Sequence, residues 1–159
     1  MSFVLRFEVA GDVQVARGFS RFADAAKDLR PAFREIVADF RKGEREQFVT
    51  EGRYGSGGWV PLSLRTQHLK AKYYPGATIL VRTGRLRESL AASTADTIEE
   101  LRPLRLQVGS RVPYAIFHQH GTSRMPPRPP IDLPEAQRTR WHKIIHAHLV
   151  HEARTQGLL

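Results

Sequence analysis

Apolar residues recur three and four apart at Phe19, Phe22, Ala26, Leu29, Phe33, Ile36 and Phe40, and no other pattern in the chain restricts its fold as strongly. At that interval side chains lie above one another on a helix of about 3.6 residues per turn, so the run predicts one long helix, or two in line, with a single apolar face to cover. Pro31 interrupts the pattern. It lacks an amide donor and its ring crowds the preceding turn, which predicts a kink or a restart with Asp28 or Arg30 near the boundary. The helix should continue to Phe48, with Arg41, Lys42, Glu44, Arg45 and Glu46 towards solvent.

Upstream, Phe3, Leu5, Phe7 and Val9 alternate with Ser2, Val4, Arg6 and Glu8, predicting a half-buried strand ended by Gly11-Asp12. Downstream, residues 52–58 form a flexible loop by their glycine content. A short helix over residues 62–72 follows Pro61, and Tyr73-Tyr74-Pro75-Gly76 forms a turn before a short apolar piece at Ile79–Val81. Thr83 is suited to cap a helix running through Glu88, with Leu86, Leu90 and Ala91 inward. Residues 97–100 and 104–109 read as an antiparallel pair in which Leu104, Leu106 and Val108 share a face. Residues 114–120 fit one or two helical turns. Met125-Pro126-Pro127-Arg128-Pro129-Pro130 must be extended. A last helix starts near Pro134, with Asp132 a candidate cap, and Trp141, Ile144, Ile145, Leu149 and Val150 continue it towards Arg154.

These elements give an α+β fold, in which a small antiparallel β-sheet packs against a long N-terminal helix and a C-terminal helix, with extended loops or arms. At 159 residues the chain suits one domain over 1–159, with a Gly-rich loop at 52–58 and a Pro-rich arm at 124–131. No apolar stretch approaches the roughly 18 residues that cross a bilayer, and residues 1–6 lack a basic segment leading into an apolar run; no membrane partner and a cytosolic folding environment are expected. There is no cysteine, so disulfides, thiolate metal sites and cysteine nucleophiles are excluded. The 25 Lys and Arg against 16 Asp and Glu give a net charge of +9. That favours acidic or polyanionic partners, but the charges are dispersed and form no basic tail.

Little in the chain points to catalysis. His142 and His146 share a helical face, as zinc-binding helices require, yet the position after the first is Lys143, where a metalloprotease helix needs a general-base Glu. Gly55-Ser56-Gly57-Gly58 lacks the Gly-Lys-Ser/Thr ending of a phosphate-binding loop, and there is no Gly-x-Ser-x-Gly elbow. The expectation is therefore no enzyme activity, no cofactor and no metal. The proline run could serve as an extended peptide ligand; a rigid arm laid on a neighbour is the plainer reading. Two other classes stay open: a DNA-binding protein, which the mixed signs of residues 41–46 disfavour, and a metal-dependent hydrolase using His118, His142 and His146.

What remains is an ordered series of rigid motifs: Trp59-Val60-Pro61-Leu62, Thr83-Gly84-Arg85-Leu86 with Ser89, Val108-Gly109-Ser110, Tyr114-Ala115 with His118-Gln119 and Gly121, and Pro127-Arg128-Pro129. In this order they resemble the phage virion morphogenesis family of Mu-like tail-completion and head–tail joining proteins, from about Glu35 to Leu133. The sequence departs from the family pattern at Pro130-Ile131, where a Phe before Leu is usual, and in its long His-rich last helix.

The resemblance implies a structural subunit that completes or terminates a phage tail or joins it to the head. It implies a homo-oligomeric ring, a hexamer, in the virion neck, assembled in the host cytoplasm. Its implied partners are further copies of the chain, neck and tail-tube proteins, and DNA passing through the lumen. A ring needs two different complementary faces; the segments 84–90 and 114–130 are the expected ones. Trp59, Thr83, Gly84, Leu86, Tyr114, His118, Gln119, Gly121, Pro127, Arg128 and Pro129 are the expected interface residues.

Overall fold

Pro31 restarts the helix rather than bending it. The computed structural model describes residues 12–55 and 57–159, and in it helix α1 (Asp12–Ala25) ends before a second helix, α2 (Arg30–Val49), begins. Pro31 falls in the first turn of α2, where its missing amide leaves no hydrogen bond unmade. Asp28 secures the junction, accepting from the Arg30 backbone amide at 3.1 Å and from its guanidinium at 2.6 and 2.8 Å. The strand expected over residues 2–9 lies outside the described residues.

The remaining elements follow in the order α3 (Leu64–Tyr73), α4 (Arg85–Ala91), β1 (Thr97–Arg102), β2 (Arg105–Ser110), α5 (Ala115–His120) and α6 (Glu135–Thr155). The architecture is α+β, as the periodicities predict. β1 and β2 pair antiparallel with Thr97 opposite Ser110 and Arg102 opposite Arg105. Leu104 does not share the face of Leu106 and Val108: it falls in the turn and is 64% exposed, because the strands run on to Arg102 and leave it outside the ladder.

α2 is the central post. α4, the hairpin and α6 all pack on it. Phe40 and Phe48 from α2 join Trp59, Leu86, Leu90 and Val112 in the core, with Ile131, Leu133 and Trp141 packed against its edge. Phe48 meets Trp59 edge to face at 5.3 Å, a favoured aromatic geometry. α6 crosses α2 closely at Gly43, where an added Cβ would lie 2.7 Å from the Gln137 side chain. Beside that crossing the Asp39 carboxylate accepts from the Trp141 indole at 2.8 Å and the Arg140 guanidinium at 3.2 Å.

Two expected caps are replaced. Thr83 does not cap α4: its hydroxyl is 3.5 Å from the Arg85 amide, and the cap position belongs to Gly84, whose φ of +84° turns the chain into the helix. Asp132 does not cap α6; Pro134 holds that position without a side-chain bond. Ser63, by contrast, accepts from the Thr66 amide at 3.3 Å and starts α3. No helix among the described residues is long and apolar enough to cross a membrane.

Candidate functional site

The motifs scattered from Trp59 to Pro130 in sequence are joined in space. The Trp59 indole donates to the Pro129 carbonyl at 2.8 Å. In return Arg128 donates from Nε to the Val60 carbonyl at 2.6 Å and from a terminal nitrogen to the Pro61 carbonyl at 2.9 Å. The Arg128 amide donates to the His118 carbonyl at 2.8 Å. Gln119 pairs with Ile131 twice, its side-chain amide donating to the carbonyl at 2.9 Å and its side-chain oxygen accepting from the amide at 3.2 Å. Ser89 of α4 and Ser110 at the end of β2 share a hydroxyl–hydroxyl bond of 2.7 Å, and Ser89 also donates to the Leu86 carbonyl.

Proline explains why side chains do this work. A Pro-rich segment has few amides to offer a ladder, so the arm is held through its carbonyls by Trp59 and Gln47 and through the Arg128 fork. Arg128 is only 6% exposed; burial pulls its pKa below the ordinary arginine value, and carbonyl dipoles rather than a carboxylate solvate the charge. The segment 128–131 thus lies against its own chain.

Of the expected interface residues, Trp59, Leu86 and Arg128 are buried in this frame, and Gln119 and the Pro129 carbonyl are engaged within it. Gly84 and Gly121 adopt positive φ, and a Cβ on Gly121 would lie 2.8 Å from both the Met125 carbonyl oxygen and the Pro127 nitrogen. Thr83, Tyr114 and Pro127 are exposed, and His118 is half-buried. The His118 Nδ1 has no hydrogen-bond partner; burial, then the nearby Arg128 charge, lowers its pKa, favouring the neutral ring. Its ring meets Tyr114 edge on at 5.9 Å.

The frame borders a groove of about 1030 Å³. α3 contributes Leu69 and Tyr73, the connection to α4 Tyr74, Leu80 and Arg82, the cap position before α5 Tyr114, α5 itself His118, and the arm Arg124 and Met125. Leu69, Tyr73, Tyr74 and Tyr114 all expose apolar surface there. Leu80 holds φ at +60°, a conformation that costs a branched residue on the order of 1 kcal/mol and concentrates at functional positions.

Glu44 departs most from expectation. It does not face solvent: it is 2% exposed, its Oε2 lacks a partner, and burial, then the neighbouring Asp132 charge, raises its pKa to about 8. The sequence does carry a signal for this, since Ile36, Phe40, Glu44 and Phe48 continue one stripe at four-residue spacing. His142 and His146 lie on the exposed side of α6, and no group of His, Cys, Asp and Glu among the described residues is arranged to hold a metal.

A family model described as the phage virion morphogenesis family matches residues 11–150. No curated protein and no solved structure matches the chain.

Proposed function

This chain belongs to the phage virion morphogenesis family and so has a structural role in building the virion, and we propose that within that role it is a non-enzymatic ring subunit of the neck. There it completes or terminates the tail, or joins it to the head. The observation that carries this reading is the division of labour in the motif residues. Trp59, Gln119 and Arg128 fasten the proline arm to the rest of the chain and Ser89 ties α4 to the end of β2, while the groove beside this frame leaves Leu69, Tyr73 and Tyr114 uncovered. Rigid presentation of apolar and aromatic side chains lowers the ordering cost of association, which favours a subunit that works by binding neighbours.

A ring also needs a second, different face. α4 buries Leu86, Ser89, Leu90 and Ala91 and turns Arg85, Arg87 and Glu88 outward, so a charged surface is available to meet a neighbouring copy. The net charge of +9 suits acidic ring partners or DNA passing through the lumen.

Electron microscopy of particles made without the chain tests the proposal. Separated heads and tails, together with rings formed by the isolated protein, are expected. Normally joined, infectious particles would overturn it.

A further inference from the structure

The groove has a charge asymmetry that its framing role does not require. No Asp or Glu among the described residues lines it, yet Lys70, Arg82, Arg85, Arg124 and Arg128 do. Some of those cations are already engaged. Arg85 binds Asp96 at 2.6 and 2.8 Å, Arg128 holds the Val60 and Pro61 carbonyls, and the Lys70 ammonium donates to the Thr78 carbonyl. Arg82 and Arg124 take part in none of the ion pairs among the described residues. Arg82 lies over the Tyr74 ring at 5.6 Å, held at the groove's edge. Leu69, Tyr73 and Tyr114 line the same groove as the two arginines.

We propose that this groove docks an acidic, apolar peptide segment of a partner protein, its Leu or Phe side chains lying on Leu69, Tyr73 and Tyr114 and its carboxylates meeting Arg82 and Arg124. The inference rests on the assembly reading above, for which it names the partner's chemistry. Charge complementarity selects an acidic occupant, and the apolar floor selects protein over nucleic acid. A phosphodiester backbone would satisfy the arginines but has nothing to bury against Leu69, Leu80 and Val81, whereas buried aromatics beside arginine typify protein interfaces. The bonds from Arg128 to the Val60 and Pro61 carbonyls hold the arm along the groove before anything enters it.

Binding to the isolated chain tests the inference by fluorescence anisotropy at physiological salt. The probes are a short synthetic peptide alternating Glu with Leu and Phe, its Gln-for-Glu and Lys-for-Glu counterparts, and a short DNA duplex. The Glu peptide should bind, and the Gln peptide about tenfold more weakly, as expected for losing charge-assisted contacts. The double variant R82E/R124E, with both sites exposed and its unfolding midpoint unchanged, should instead prefer the Lys peptide. Equal binding of the Glu and Gln peptides, or no binding of any peptide, would overturn the proposal. So would duplex DNA that displaces the Glu peptide through Arg82 and Arg124. Because these measurements use the chain alone, their failure is distinct from failure of the assembly reading, which is judged on particles.

Discussion

Trp59 and Pro129, 70 residues apart in sequence, are joined by one 2.8 Å hydrogen bond from indole to carbonyl. On the same strip of backbone Arg128 reaches the other way, to the carbonyls of Val60 and Pro61. The exchange fastens a segment that proline prevents from joining a sheet. It also buries the Trp59 ring on Phe48, so the arm's position and the core's integrity depend on the same residue.

Trp59→Phe separates those two contributions. The ring keeps most of its apolar burial, but the Pro129 carbonyl loses its shorter donor and keeps only Gln47 at 3.3 Å, a cost of about 1 kcal/mol. Trp59→Ala removes both and should cost about 3–5 kcal/mol. Urea unfolding midpoints of the two variants check the ordering. A Trp59→Phe midpoint equal to wild type would mean that the hydrogen bond contributes nothing beyond the packing.

Gly121→Ala should cost more than Gly76→Ala. Both glycines have positive φ, +73° and +78°, but a Cβ at 121 meets the Met125 carbonyl oxygen and the Pro127 nitrogen at 2.8 Å, while nothing lies within 4 Å of one at 76. Gly76→Ala should therefore show only the left-handed penalty of about 1 kcal/mol. Gly121→Ala adds a backbone clash and should shift the start of the arm, detectable as faster proteolysis near Arg124 as well as a lower thermal midpoint.

How much of this is legible in sequence depends on whether the signal is local. The helix boundary at Pro31 follows from one residue's geometry, and the hairpin from alternation over a few positions, so both emerge from the chain alone. The pairing of Gln119 with Ile131 and of Ser89 with Ser110 does not, because no periodicity says which distant polar groups meet. Thr83 fails as a cap for a related reason: Thr83 and Gly84 are both acceptable starts, and only the backbone turn at Gly84 decides between them. Glu44 misleads because its charge points to solvent while its place in the apolar stripe points to the core, and place wins. The frame around the groove is thus visible in sequence as a set of residues but not as a set of contacts.

Glu44 gives the fold a pH dependence opposite to that of Asp28 and Asp96, whose pKa values are lowered by their hydrogen bonds to Arg30 and Arg85. Its pKa is about 8 in the folded chain, against an ordinary 4.5, so the folded state holds a proton that the unfolded state releases. The stabilisation is fully present below pH 4.5 and is lost as pH rises through about 8. Each pH unit between those two values corresponds to about 1.4 kcal/mol, so the change across that window is on the order of several kcal/mol. Glu44→Gln, neutral at every pH, should flatten the slope of urea stability between those limits and be the more stable protein above pH 8. A variant that keeps the wild-type slope would assign the dependence to another group.

Arg128→Lys and Tyr114→Ser should fail in different ways, because one residue belongs to the frame and the other to the face. Lys cannot reproduce the planar fork that spans the Val60 and Pro61 carbonyls. The loss leaves a buried cation with fewer carbonyl partners and should cost about 1–3 kcal/mol, lowering the unfolding midpoint and, through it, assembly. Tyr114 is 39% exposed, and its ring meets His118 edge on, so Tyr114→Ser should change stability by less than about 1 kcal/mol. Its phenotype should appear only in particles: a folded, soluble chain of normal midpoint that leaves tails unjoined to heads. A stabilising background mutation should then rescue Arg128→Lys and not Tyr114→Ser. If it rescued both, Tyr114 would belong to the frame as well, and the groove would lose that wall as a contact surface.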